Sequence, residues 1–170
     1  MEEKNRYDLH ENSIEDKGYV KFLSEIFQAI LQRLDPPSFG LDFGSGPTPV
    51  LAEMLQQKGF RINIYDAFYA VNPEVLQGTY DFISLSEVAE HFNKPDKEFE
   101  NLIKLLKPNA YLFAMTSCTD TIEEFENWHY QKDDTHVCFY ATESMEYIAK
   151  KYHLSLEKVS EKLFIFQKVK

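Results

Sequence analysis

Two periodicities organise the apolar positions of this chain. From Gly18 to Leu34, residues Val20, Phe22, Leu23, Ile26, Phe27, Ile30 and Leu31 recur at helical spacing, and Pro36-Pro37 bars continuation. Phe39 to Phe43 is a short apolar run closed by Gly44-Ser45-Gly46-Pro47, which predicts a buried strand and a turn. Pro49 to Lys58 gathers Val50, Leu51, Met54 and Leu55 on one helical face, with Gly59 as its C-cap. Arg61 to Tyr65 alternates as a strand, Ala67 to Gly78 reads as a loop with one helical turn, and Asp81 to Leu85 is a further strand.

Helical spacing resumes from Glu87 to Phe92 and again from Asp96 to Leu106. Lys107-Pro108-Asn109 predicts a turn into the strand Ala110 to Met115. Thr121 to Trp128 reads as a helix, and His136 to Tyr140 as a β-rich run. Thr142 to Lys151 is helical, with Glu143 near its start and two lysines at its end, the arrangement that suits the helix dipole. Leu154 to Val159 and Leu163 to Val169 close as two strands around a turn at 160–162. Alternating strands and helices predict an α/β fold with a mainly parallel sheet, and the closing hairpin must be antiparallel. The expected organisation is a single domain over 1–170: a polar tail or lid over 1–17, a helix over 18–34 and a core over 38–170. Within that tail Tyr7 and His10, together with Tyr19 beyond it, are candidates to close over a ligand.

Charge and cysteine content narrow the partners. The net charge of −10 and the lack of a basic stretch argue against a nucleic-acid partner held by charge. Two cysteines, Cys118 and Cys138, fit neither a zinc spacing nor a disulfide scaffold, so a reducing, cytoplasmic setting is expected. No apolar run follows Met1-Glu2-Glu3-Lys4, and none elsewhere is long enough to cross a bilayer, so neither a leader nor a membrane partner is expected.

The glycine loop carries the first candidate chemistry. Asp42-Phe43-Gly44-Ser45-Gly46 lies between a predicted strand and a predicted helix, where two glycines let the backbone turn tightly against a ligand. It lacks the Lys-Ser/Thr pair of a phosphate-binding P-loop, and Pro49 stands at the third glycine of a dinucleotide fingerprint. Asp66 ends the next strand 20 positions after Gly46, where an open α/β sheet would set its carboxylate against ribose hydroxyls.

These residues, with Tyr65-Asp66, the strand Tyr80 to Glu87 and the segment Leu105-Leu106-Lys107-Pro108-Asn109-Ala110-Tyr111-Leu112, resemble class I S-adenosylmethionine-dependent methyltransferases over roughly 38–170. The resemblance implies a Rossmann-like methyltransferase fold and transfer of a methyl group from S-adenosyl-L-methionine. It implies that Asp42, Gly44, Ser45 and Gly46 cradle the methionine part of that cofactor, with Asp66 on its ribose, Ala67 and Phe68 against adenine, and Glu87 nearby. Thr48 replaces the third glycine that many members carry. Only 14 residues separate Asp66 from Asp81, too few for the usual third strand, so six strands are expected.

Glu87-x-x-Glu90-His91 is the second candidate. On a helix those positions share one face, and two carboxylates with an imidazole, joined by His136, suit Mg2+, Mn2+ or Zn2+. The pattern resembles two metal-assisted branches of the same superfamily, the small-RNA 3′-terminal ribose methyltransferases and the ubiquinone-pathway O-methyltransferases. It implies a hydroxyl acceptor on a small molecule; without metal, His91 or His136 would act as general base. An RNA 3′ end, or a cofactor-binding module without catalysis, remains the alternative at this stage. A monomer or a homodimer capping the open sheet edge is expected.

Overall fold

The computed structural model describes residues 13–169. Tyr7 and His10 lie outside the described residues. Six strands form one sheet in the order β2-β1-β3-β4-β6-β5: β1 Phe39–Phe43, β2 Arg61–Tyr65, β3 Tyr80–Ser86, β4 Leu106–Met115, β5 Leu154–Lys158 and β6 Leu163–Lys168. The first four run parallel to one another, and β6 inserts antiparallel between β4 and β5.

Alternation along the central strands builds both faces of the core. Phe82, Phe113, Met115, Leu163 and Ile165 point to one side, where α1 (Lys17–Leu31) and α2 (Val50–Gln57) cover them. Ile83, Leu85, Leu112, Ala114, Phe164 and Phe166 point to the other, under α3 (Pro95–Leu105) and α5 (Thr142–Lys151). Each of the larger side chains contributes about 1.5–3 kcal/mol by burial, so the sheet is fixed from both faces. α1 starts where its pattern demands: Asp16 Oδ1 accepts from the N–H groups of Gly18 and Tyr19 at 2.8 and 3.1 Å. Its end comes at Leu31, three residues before Leu34 and ahead of the proline pair.

The third strand is absent, as the residue count predicts. Between β2 and β3 the chain makes a single 3-10 turn, Pro73–Gln77, opened by Asn72 and anchored by the Tyr80 hydroxyl, which donates to Val75 O at 2.6 Å. β2 is therefore a sheet edge.

Three local expectations are corrected. Lys107-Pro108-Asn109 is not a turn before β4 but a bulge within it: pairing jumps from Tyr80–Leu106 to Phe82–Tyr111, and Asn109 takes a positive φ of 63°. His136 to Tyr140 makes only an isolated bridge, Cys118 to Tyr140, because the sheet has no open edge there. Glu87 to Phe92 is not an α-helix; Glu87 has φ 54° and a short 3-10 turn, Ala89–His91, follows. A further short helix, α4 (Ile122–Asn127), is capped by Thr121 Oγ1, which accepts from Glu124 N–H at 3.1 Å. No helix among the described residues is long and apolar enough to cross a membrane.

Candidate active site

A cavity of about 690 Å3 opens at the carboxyl ends of β1, β2 and β3. That is the place where open α/β sheets take ligands and the size that small molecules occupy. Gly44, Ser45 and Gly46 form one wall, Asp66, Ala67 and Phe68 a second, and Ser86, Glu87, Val88 and His91 a third. Tyr19 and Phe22 of α1 also line it.

The glycine loop is held by the strand beside it. Tyr65 O accepts from the N–H groups of Gly44 and Ser45 at 2.7 and 3.2 Å, and Asp66 Oδ2 accepts from Gly46 N–H at 2.9 Å. The other oxygen of Asp66 accepts from Phe68 and Tyr69 N–H at 2.8 and 3.1 Å. Asp66 thus binds two cavity walls together from a nearly buried position. The loop's N–H groups are committed to Tyr65 and Asp66, at and just past the end of β2. Both glycines are left-handed, with φ of 78° at Gly44 and 66° at Gly46. A Cβ on Gly44 would meet Val88 Cγ2 at 2.4 Å, whereas one on Gly46 meets nothing within 4 Å. Gly44 is required by packing, and Gly46 faces open space.

Asp42 does not line the cavity. It is buried beneath the loop, accepting from the Ser84 hydroxyl at 2.8 Å and from the backbone of Ala52 in the first turn of α2. Burial pushes its carboxyl up to about 6, against the pull of the Ser84 bond. It caps α2, whose own N-cap Pro49 supplies no side-chain bond.

The Glu87–His91 segment reaches its arrangement without a helix. Glu87 N–H donates to Met115 O at 2.8 Å, pinning the turn to β4. Glu90 is drawn inward until fully buried: the Thr116 hydroxyl donates to its Oε2 at 2.8 Å, and the Tyr130 hydroxyl donates to its Oε1. The same Tyr130 hydroxyl reaches Glu87 Oε2 at 3.3 Å. Burial, then the neighbouring Glu90 carboxylate, pushes Glu87 up to about 8. Burial and the two carboxylates also hold the Tyr130 hydroxyl far above the ordinary phenol range, so it stays a donor.

Glu90, His91 and His136 come together, with one ligand atom from each lying within 4.8 Å of the others. His91 Nδ1 lies 2.9 Å from Thr135 O, and His136 Nδ1 lies 2.8 Å from Tyr130 O. A carbonyl can only accept, so both Nδ1 atoms donate, and in the neutral tautomer this fixes, Nε2 is the nitrogen that can bind a cation. Glu87 stands outside this trio, joined to it through Tyr130.

Of the residues singled out in the sequence, Gly44, Ser45, Gly46, Asp66, Ala67, Phe68, Glu87 and His91 line the cavity. Glu90 and His136 lie behind His91, and Asp42 lies beneath the loop. Thr116 carried no sequence signal, because it meets Glu90 only through strand order. Tyr130 likewise meets Glu87 and Glu90 only through the tertiary fold.

The family described as "Methyltransferase domain" matches residues 15–159, and the chain belongs to it. No curated protein matches the sequence. An O-methyltransferase family protein from Burkholderia thailandensis is similar in structure, with a TM-score of 0.64, 13% identity, and coverage of 88% of this chain and 57% of that one. This chain therefore spans little more than half the length of that protein. A SAM-dependent methyltransferase from Archaeoglobus fulgidus has a TM-score of 0.64 and 14% identity over 87% of this chain and 94% of its own. A phosphoethanolamine N-methyltransferase 2 from Haemonchus contortus, in complex with S-adenosylhomocysteine, has a TM-score of 0.54 and 18% identity, covering 79% of this chain and 38% of that one. Oxygen and nitrogen acceptors both occur on this fold, so the fold alone does not choose between them.

Proposed function

We propose that this protein transfers the methyl group of S-adenosyl-L-methionine to a hydroxyl of a small molecule, with a divalent cation held by Glu90, His91 and His136. One observation carries the cofactor. Ser45 Oγ, Ser86 Oγ and Glu87 Oε1 are buried without a hydrogen-bond partner, and all three residues line the cavity that joins the glycine loop to Asp66. Buried polar atoms without partners in the chain call for a ligand that supplies them. Asp66 and Glu98 line the cavity, and no lysine or arginine among the described residues does, which suits a cationic sulfonium.

In this reading Gly44, Ser45 and Gly46 flank the methionine part, Asp66 accepts from the ribose hydroxyls through its remaining lone pairs, and Ala67 and Phe68 pack on adenine. The acceptor's hydroxyl gives up its proton, and its oxygen attacks the methyl carbon. The carbon–sulfur bond breaks, leaving the sulfonium as a thioether. With no cation bound, His91 Nε2 would take that proton, its ring oriented by the Thr135 carbonyl; with one bound, the same nitrogen is a ligand and the proton passes to water. The carboxylate and two imidazole nitrogens are a donor set that fits Mn2+, Mg2+ or Zn2+, and the carbonyls behind both rings supply the orienting shell. Such a cation, when bound, favours the ionised form of a nearby hydroxyl.

The test is calorimetric titration of S-adenosylhomocysteine, first with chelator and then with Mn2+. Trp128 fluorescence is followed in parallel. Trp128 is the sole tryptophan, and its ring stacks 4.7 Å from Tyr130, which lies 4.0 Å from His136. Saturable binding with chelator and quenching by Mn2+ are expected, with His136→Ala losing the quenching but not the nucleoside. Absence of nucleoside binding overturns the cofactor; binding without a metal response overturns the metal and leaves His91 as the base.

A further inference from the structure

Beside the α1 residues that line the cavity stands a cation that the reading above does not use. Tyr19 and Phe22 stack with centroids 6.0 Å apart and 16° between planes, and both face the cavity. Lys162, in the turn between β5 and β6, holds its Nζ 4.5 Å from the centroid of the Phe22 ring. Its charge also acts on Glu87 of the cavity lining, where it opposes the upward push of burial. Lys158, in the same hairpin, turns instead to Glu161 at 3.1 Å.

The position of Lys162 is fixed. Its carbonyl accepts from Thr116 N–H at 2.9 Å, and Ser160 Oγ accepts from the N–H groups of Lys162 and Leu163 at 3.3 and 3.2 Å. Resting on an aromatic face, the ammonium keeps donors for a further partner. A positive charge on rigid backbone therefore stands against the Phe22 ring, just outside a cavity whose own lining holds no lysine or arginine among the described residues.

We propose that Lys162 receives a ligand carboxylate against the Tyr19–Phe22 wall. This inference rests on the cofactor reading above. Two sources carry that chemistry: the amino-acid end of the cofactor, and a carboxylate on the methyl acceptor.

Calorimetry on the full chain, wild type and Lys162→Met, separates them. S-adenosylhomocysteine is compared with 5′-methylthioadenosine, the same nucleoside thioether without the amino-acid carboxylate. Then 3,4-dihydroxybenzoate is compared with catechol, each titrated into protein saturated with S-adenosylhomocysteine. A charge-assisted contact predicts about ten- to hundredfold weaker binding of the carboxylate-bearing member of one pair, with its partner unchanged. Weakening confined to S-adenosylhomocysteine assigns the cofactor, and weakening confined to 3,4-dihydroxybenzoate assigns the acceptor. If Lys162→Met changes neither pair, or weakens 5′-methylthioadenosine and S-adenosylhomocysteine alike, Lys162 has no such role. If the wild type binds neither nucleoside, the cofactor reading falls and this inference with it.

Discussion

Asp66 is the residue on which most of the cavity depends. Its two oxygens accept from Gly46, Phe68 and Tyr69, so one side chain closes the glycine wall onto the adenine-side wall. Its role is as much to set the spacing between walls as to meet a ribose. Asp66→Ala leaves three N–H groups without their acceptor. The expected cost is about 1–3 kcal/mol of stability, with nucleoside affinity reduced at least about tenfold. Asp66→Asn retains one carbonyl oxygen and should recover part of the stability. Urea unfolding and calorimetry check both effects, and unchanged affinity in Asp66→Ala would remove Asp66 from the site. The pairing of Gly46 with Asp66 was readable in sequence, because strand–loop–helix–strand geometry fixes that separation locally. The contact of Asp66 with the loop itself was not, since spacing places a carboxylate at a strand end without saying what it touches.

At the scale of elements, the two loop glycines make a matched experiment. Both have positive φ, so alanine at either carries the left-handed strain of about 1–2 kcal/mol. At Gly44 the added methyl also collides with Val88, whereas at Gly46 it enters open cavity. Gly44→Ala should therefore lose more stability than Gly46→Ala, and Val88→Ala should recover part of the loss in the double variant. Gly46→Ala should instead lose nucleoside affinity with little further loss of stability. Equal destabilisation by the two substitutions would contradict this assignment. Strands and long helices were legible because burial imposes periods of 2 and 3.6 on their apolar residues. The absent third strand was legible because 14 residues cannot hold it. Glu87 to His91 misled because its apolar spacing mimics a helix, while its conformation is set by contacts with β4, Thr116 and Tyr130 that lie far off in sequence. The spacing argument for a shared face therefore failed, yet Glu90 and His91 still met His136 by another route.

For the whole molecule, the buried acids dictate how stability answers to pH. Asp42 rises from its ordinary 3.8 to about 6, and Glu87 from 4.5 to about 8, in both cases mainly through burial. A raised carboxyl binds its proton more tightly in the folded state, so stability falls as pH climbs through the interval between unfolded and folded values. Asp42 acts between about pH 4 and 6, and its shift corresponds to a loss on the order of 3 kcal/mol. Glu87 extends the decline towards about pH 8, and the net charge of −10 adds self-repulsion in the same direction. Asp81, Asp96 and Asp120 are held below the ordinary range by their partners, so their contributions are present above about pH 4 and lost below it. The two sets together place maximal stability near pH 4 rather than at neutrality. Urea unfolding from pH 3 to 8 should trace that maximum. Asp42→Asn should flatten the slope from about pH 4 to 6, and Glu87→Gln the slope from about pH 5 to 8. Stability that rises from pH 5 to 8 in the wild type would mean that these carboxyls are solvated, and that the cavity floor and the wall bearing Glu87 are more open than the packing of Asp42, Glu87 and Glu90 implies.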